Sequence, residues 1–158
     1  MAKILVLGIG NTIRGDDGAG IRAVEVLREY FKEYGIFDID IKETEEGGIN
    51  LLGLLAGYKK AIIIDAIVTK DGKKGDIYRL TEKSFDATNV THSTHQMGLS
   101  TIISKAEDMH IDIPGEIVIY AIDVQKGGGG FRDSLTQEIR KAVNRAVDLI
   151  KQELCLVS

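Results

Sequence analysis

Four ionisable side chains in three separated segments have the types and placement to do chemistry together: Asp16 and Asp17, Asp65, and His95. The two adjacent acids close the loop that runs from Gly8 to Gly18, directly after the apolar run Ile4 to Leu7. Asp65 closes the run Ala61 to Ile64, and His95 stands in the segment Ser93 to Gln96. Two carboxylates and an imidazole suit a borderline divalent metal such as Ni²⁺ or Zn²⁺, with coordination positions left for water or substrate. A metal held in this way polarises a carbonyl or activates water for amide hydrolysis. The residues alone therefore point to a metal-using hydrolase or a metal-docking site.

Each residue also has a structural use to weigh. A carboxylate just before a helix caps its first turn, worth about 0.5–2 kcal/mol, and Asp16 or Asp17 suits that role. Asp65 fits it poorly. A strand of isoleucines needs no charge at its end, and a buried unpaired carboxylate costs several kcal/mol. His92 and His110 read as surface residues, and His95 rises above them only through its expected place opposite Asp65 and Asp17.

Two other chemistries were open to the same residues. The Gly8/Gly10 pair invites a dinucleotide fingerprint, but the third glycine, five residues after the first, is replaced by Ile13. Two aspartates at the helix start would also repel a pyrophosphate. A phospho-receiver module is the better competitor, with Asp16/Asp17 as acidic pair, Asp65 as phosphoacceptor, Lys126 after the last strand, and Mg²⁺ on the carboxylates. Against it, a long loop separates the first strand from the acids, and His95 and the glycine loops are left idle.

The elements that must position these residues follow from apolar periodicity. Lys3 to Gly8 and Lys60 to Asp65 read as strands buried on both faces. Phe37 to Lys42 alternates like a half-exposed strand, and Gly75 to Leu80 reads as a short strand, expected to be antiparallel. The helix after Gly18 carries Ile21, Val24, Leu27, Tyr30 or Phe31 and Tyr34 inward and stops at Gly35. Ile49 to Tyr58 is a short apolar helix. Thr81 to Thr91 reads as irregular. Ser93 and Gln96 have capping-box spacing before a helix carrying Leu99, Ile102, Ile103, Ala106 and Met109, which leads to the strand Glu116 to Ile122. After the Gly127 to Gly130 loop, Ser134 and Gln137 form a second capping box for a long helix bearing Leu135, Ile139, Ala142, Val143, Ala146, Val147, Ile150 and Leu154. Alternating strands and helices predict a three-layer α/β/α sandwich with a mostly parallel sheet and one antiparallel strand, in a single domain over residues 1–158. In such a sheet the loops after parallel strands share one edge, where ligands bind. Asp16/Asp17, Asp65, the start of the helix with His95, the Gly47-Gly48 turn and the Gly127 to Gly130 loop are all expected there.

Composition narrows the partners. The chain has 158 residues, 44% hydrophobic and 28% charged, with a formal net charge of −4. A mildly acidic surface offers no electrostatic footprint for nucleic acid or anionic membrane. The start Met1 to Gly8 lacks the features of a signal peptide, and no apolar run approaches the ~20 residues of a membrane span. One cysteine, Cys155, excludes an internal disulfide or a cysteine-cluster metal site. The expectation is a cytoplasmic monomer.

Gly8-x-Gly10-Asn11 with Asp16-Asp17-Gly18-x-Gly20, Asp65-Ala66-Ile67-Val68, and His95-Gln96-Met97-Gly98-Leu99 together resemble the hydrogenase maturation endopeptidases. The likeness runs from Lys3 to the last helix. It implies a twisted sheet between helices and a nickel-dependent protease that trims the carboxyl terminus of a [NiFe] hydrogenase large-subunit precursor once nickel is inserted. Carried over by motif, the metal-contacting and catalytic residues are Asp17, Asp65 and His95. Asn11 and the Glu46-Gly47-Gly48 turn are expected to contact substrate. The nickel is expected to arrive with the precursor, and no organic cofactor is implied. A metal-sensing chaperone that binds the precursor without cutting is the non-enzymatic alternative.

Overall fold

Runs of Leu, Ile and Val that are apolar at every position can be satisfied only by a strand covered on both faces. Two such runs form the centre of the sheet: β1 (Ile4–Ile9) and β3 (Lys60–Thr69). The structure is a computed structural model and describes residues 3–82, 90–93, 99–125 and 134–156. Around the central pair lie β2 (Ile39–Thr44), β4 (Ile77–Thr81), β5 (Val90–Ser93) and β6 (Glu116–Asp123). The helices are α1 (Ala19–Glu33), α2 (Leu51–Leu55), α3 (Leu99–Asp108) and α4 (Gln137–Glu153).

The strand order is β2-β1-β3-β6-β4, with β5 paired to β3 off this path. β2, β1, β3 and β6 run parallel, while β4 lies antiparallel on β6, as expected from the sequence. A second antiparallel pairing, β5 on β3, begins in the stretch read as irregular, at Val90 and Thr91. Ser93, expected to open a helix as its cap, is instead the last residue of β5, opposite Ile67.

Alternation along the strands sorts side chains into two cores. Val6, Ile62, Ile64, Val118, Tyr120 and Ile122 pack with α1 and α4 on one face. Leu5, Leu7, Ala61, Ile63, Ile117 and Ile119 pack with α2 and α3 on the other. Each fully buried leucine or isoleucine contributes about 1.5–3 kcal/mol, so the expected three-layer sandwich is held mainly by this burial. The apolar stripes end sooner than periodicity suggested. Tyr34 and Met109 are exposed, because α1 and α3 stop at Glu33 and Asp108. Among the described residues no helix is long and apolar enough to cross a membrane.

One polar staple fastens α4 to the sheet. Glu153, in the last turn, accepts from Arg79 Nε and Nη2 at 2.8 Å each, from Lys60 Nζ at 3.1 Å, and from the Tyr120 hydroxyl. An acid at a helix carboxyl terminus opposes the helix dipole, and these donors offset that cost. The Arg79 guanidinium, foremost, holds the Glu153 carboxyl down at about 2. Burial, followed by the bond to Glu153, pushes the Tyr120 phenol up to about 12.

Candidate active site

The chain leaves β1 through α1 on one face of the sheet towards β2, whereas the connections from β2 to β3 and from β5 to β6 use α2 and α3 on the other. In such sheets the ligand crevice forms at the carboxyl edge where the strand order reverses. Here the order reverses between β1 and β3, whose successors among the parallel strands, β2 and β6, lie on opposite sides of the pair. The loop with Asp17 and the β3 position of Asp65 border this crevice.

Close backbone packing brings them there. A β-carbon on Gly10 would stand 2.4 Å from the Asp17 carbonyl oxygen, so the loop folds flat on itself at the end of β1. A β-carbon on Gly20 would stand 2.3 Å from the Ile64 carbonyl oxygen. The start of α1 is thus seated on β3 at the residue before Asp65. Only glycine permits such approaches. The glycines suggestive of a nucleotide loop therefore serve chain-to-chain packing, and α-carbons of the Gly15–Gly18 turn come within 8 Å of those of β3.

Asp16 and Asp17 lie side by side in that 3-10 turn but take different duties. Asp16 is buried, 2% exposed. Its Oδ1 accepts the Thr136 backbone N–H at 2.8 Å and its Oδ2 accepts the Thr136 hydroxyl at 2.9 Å, with Lys74 Nζ 3.3 Å away. It does not cap α1 but grips the N-cap residue of α4. That N-cap is Thr136, not Ser134 as the capping-box spacing suggested. Asp17 is half-buried, its N–H bonded to the Arg14 carbonyl at 3.3 Å.

Asp65 does not end its strand: β3 continues to Thr69. It does stand at the first β3 position beyond the pairing with β1, whose last partners are Gly8 and Ile64. Alternation puts its side chain on the face of Ile63 and Ile67, and its Oδ1 accepts the Ala66 N–H at 2.8 Å. The residue is buried, 7% exposed. The end of its pairing with β1, not the end of its own strand, sets its place at the crevice.

The expected substrate contacts lie on the same edge. Asn11 Oδ1 accepts the Ile13 N–H at 3.1 Å and its carbonyl accepts the Arg14 N–H at 3.1 Å, fixing the loop. The Gly10 N–H donates to the Thr44 carbonyl at 3.1 Å, which ties this loop to the turn holding Gly47 and Gly48. Gly48 has φ +65°, a conformation that favours glycine, and both glycines are half-buried. His95, Lys126 and the Gly127 to Gly130 loop lie outside the described residues. Among the described residues no three His, Cys, Asp or Glu side chains cluster to hold an ion.

A third buried acid at this edge, Asp123, is one that the sequence alone did not single out. Asp123, fully buried at the end of β6, accepts from the Thr69 hydroxyl, from Gln125 N–H at 3.1 Å and from Gln125 Nε2 at 2.9 Å. Gln125 Nε2 also reaches the Gly72 carbonyl at 3.0 Å, so Asp123 braces the β3–β4 loop. The signal was available: Asp123 closes an apolar run just as Asp65 does.

Comparisons with known proteins agree with this architecture. Residues 21–153 match the family model HycI, described as hydrogenase maturation protease. The Hydrogenase 2 maturation protease of Escherichia coli (strain K12) is 36% identical over 106 residues, spanning 65% of this chain and 62% of that protein. A hydrogenase expression/formation protein HupD of Bradyrhizobium diazoefficiens is 31% identical over 157 residues, 96% of this chain and 78% of that one. The hydrogenase maturating endopeptidase HybD from E. coli superposes with a TM-score of 0.76 at 26% identity, covering 98% of this chain and 92% of its own. The chain belongs to the hydrogenase maturation protease family.

Proposed function

We propose that the protein is a nickel-dependent endopeptidase that removes a carboxy-terminal peptide from the precursor of a [NiFe] hydrogenase large subunit after nickel insertion, acting as a monomer in the cytoplasm. The observation that supports this reading is the packing of the Asp17 turn and the start of α1 against β3 beside Asp65. His95 supplies the third donor of the proposal. Ser93, two residues before it, pairs with Ile67, two residues after Asp65. The nickel is part of the substrate, held by the precursor. Asp17, Asp65 and His95 complete its coordination and set the scissile peptide beside it, while Asn11 and the Gly47-Gly48 turn hold the precursor's backbone.

Metal insertion then becomes the checkpoint. Ligands divided between enzyme and precursor reward only the nickel-loaded form, so discrimination arises from differential binding rather than from reading a distant signal. The unionised amide needs an activated water, and a carboxylate at the crevice is within the chemistry of a general base.

The test mixes the purified protein with nickel-loaded and nickel-free precursor and weighs the large subunit afterwards. Mass loss only with nickel supports the protease. A stable complex without mass loss assigns the chaperone role instead, and acetyl-phosphate labelling of Asp65 would assign the receiver role.

A further inference from the structure

We propose that Asp16 is a positioning residue for Asp17, acting through the clamp that joins the β1–α1 loop to the first turn of α4. The inference rests on the protease reading for the role of Asp17, but the clamp itself is geometry. Adjacent residues in a 3-10 turn point in different directions, so a turn fixed through one side chain fixes the aim of the next. Asp16 is fixed by both oxygens at once, each on a different atom of Thr136, and Lys74 approaches from the β3–β4 loop. Two bonds from one carboxylate to one residue set orientation as well as distance.

The Thr136 hydroxyl shows that this is more than ordinary capping. As N-cap of α4 it would normally accept from its own helix, yet it makes no such bond and donates to Asp16 instead. Asp17 is meanwhile held on its other side by Gly10, packed against its carbonyl. Its backbone therefore sits between two fixed points, one just after β1 and one at the N-cap of α4. A shift of about 1 Å in a reacting group costs about 100-fold in rate, so the clamp is placed to matter to turnover.

The experiment compares wild type with Asp16→Asn, Thr136→Val and Thr136→Ser. Cleavage of nickel-loaded precursor is measured as kcat and KM, normalised to the folded fraction at the assay temperature. The Asp17 carboxyl ¹³C chemical shift of the metal-free protein is read by NMR at fixed pH. Asp16→Asn and Thr136→Val are expected to lower kcat about 10- to 100-fold with KM within about threefold, and to move the Asp17 resonance. Thr136→Ser, which keeps the hydroxyl, restores both. Should Asp16→Asn fail to fold, Thr136→Val decides alone, since it keeps every backbone donor. Unchanged kcat per folded molecule together with an unmoved Asp17 resonance in Thr136→Val overturns the proposal. A wild type that never cuts, with variants that still move the resonance, leaves the positioning intact and removes the protease reading.

Discussion

Gly20 faces the carbonyl oxygen of Ile64 so closely that a β-carbon would stand 2.3 Å from it and 2.4 Å from the carbonyl oxygen of Ile9. This contact seats α1 on the two central strands one residue before Asp65. It decides how near the loop acids come to the strand acid, because backbone on backbone cannot yield by changing a rotamer.

Helix propensity and packing predict opposite signs for two glycine substitutions. Alanine in place of a helical glycine gains about 1 kcal/mol where space allows. Gly53 in α2 has nothing within 4 Å of a β-carbon, so Gly53→Ala is expected to stabilise by about 0.5–1 kcal/mol. Gly20→Ala meets two carbonyl oxygens and is expected to cost about 1–3 kcal/mol despite the propensity gain. Urea midpoints of the two variants check this. A stable Gly20→Ala would mean that the seating of α1 is loose.

Replacing Asp17, Asp65 or His95 with Ala is expected to abolish precursor processing while leaving stability within about 1–2 kcal/mol of wild type. Cleavage assays and thermal melts on the same samples separate the two effects. Common loss of folding would make the three residues structural.

Acid sensitivity should trace to the staple at the far end of α4. The Glu153 carboxyl is held at about 2, below its ordinary 4.5, chiefly by hydrogen bonds from Arg79. A depressed acid contributes stability that is complete above the ordinary value and disappears as pH falls towards about 2. Urea midpoints of wild type should therefore drop between about pH 4.5 and pH 2, and Glu153→Gln should be less stable at neutral pH and flatter across that window. Tyr120, raised by burial to about 12, works at the other extreme: its share of stability is complete below 10 and is lost as pH rises through about 12. Tyr120→Phe should flatten the alkaline limb.

Much of this molecule was written in its apolar spacing. The central strands and the long α1 and α4 stripes follow from local periodicity, which burial must satisfy wherever the chain goes. The family, too, was legible in the short motifs around Asp17, Asp65 and His95. What spacing could not divide was labour between like residues. Asp16 and Asp17 are chemically identical neighbours, and only the approach of Thr136, 120 residues away, turns one into a clamp and leaves the other at the crevice. Asp65 looked like a strand end because its neighbours in sequence allow nothing finer. Its actual setting depends on where the β1 pairing ends and on β5 joining β3 beyond, contacts between segments that no local pattern encodes.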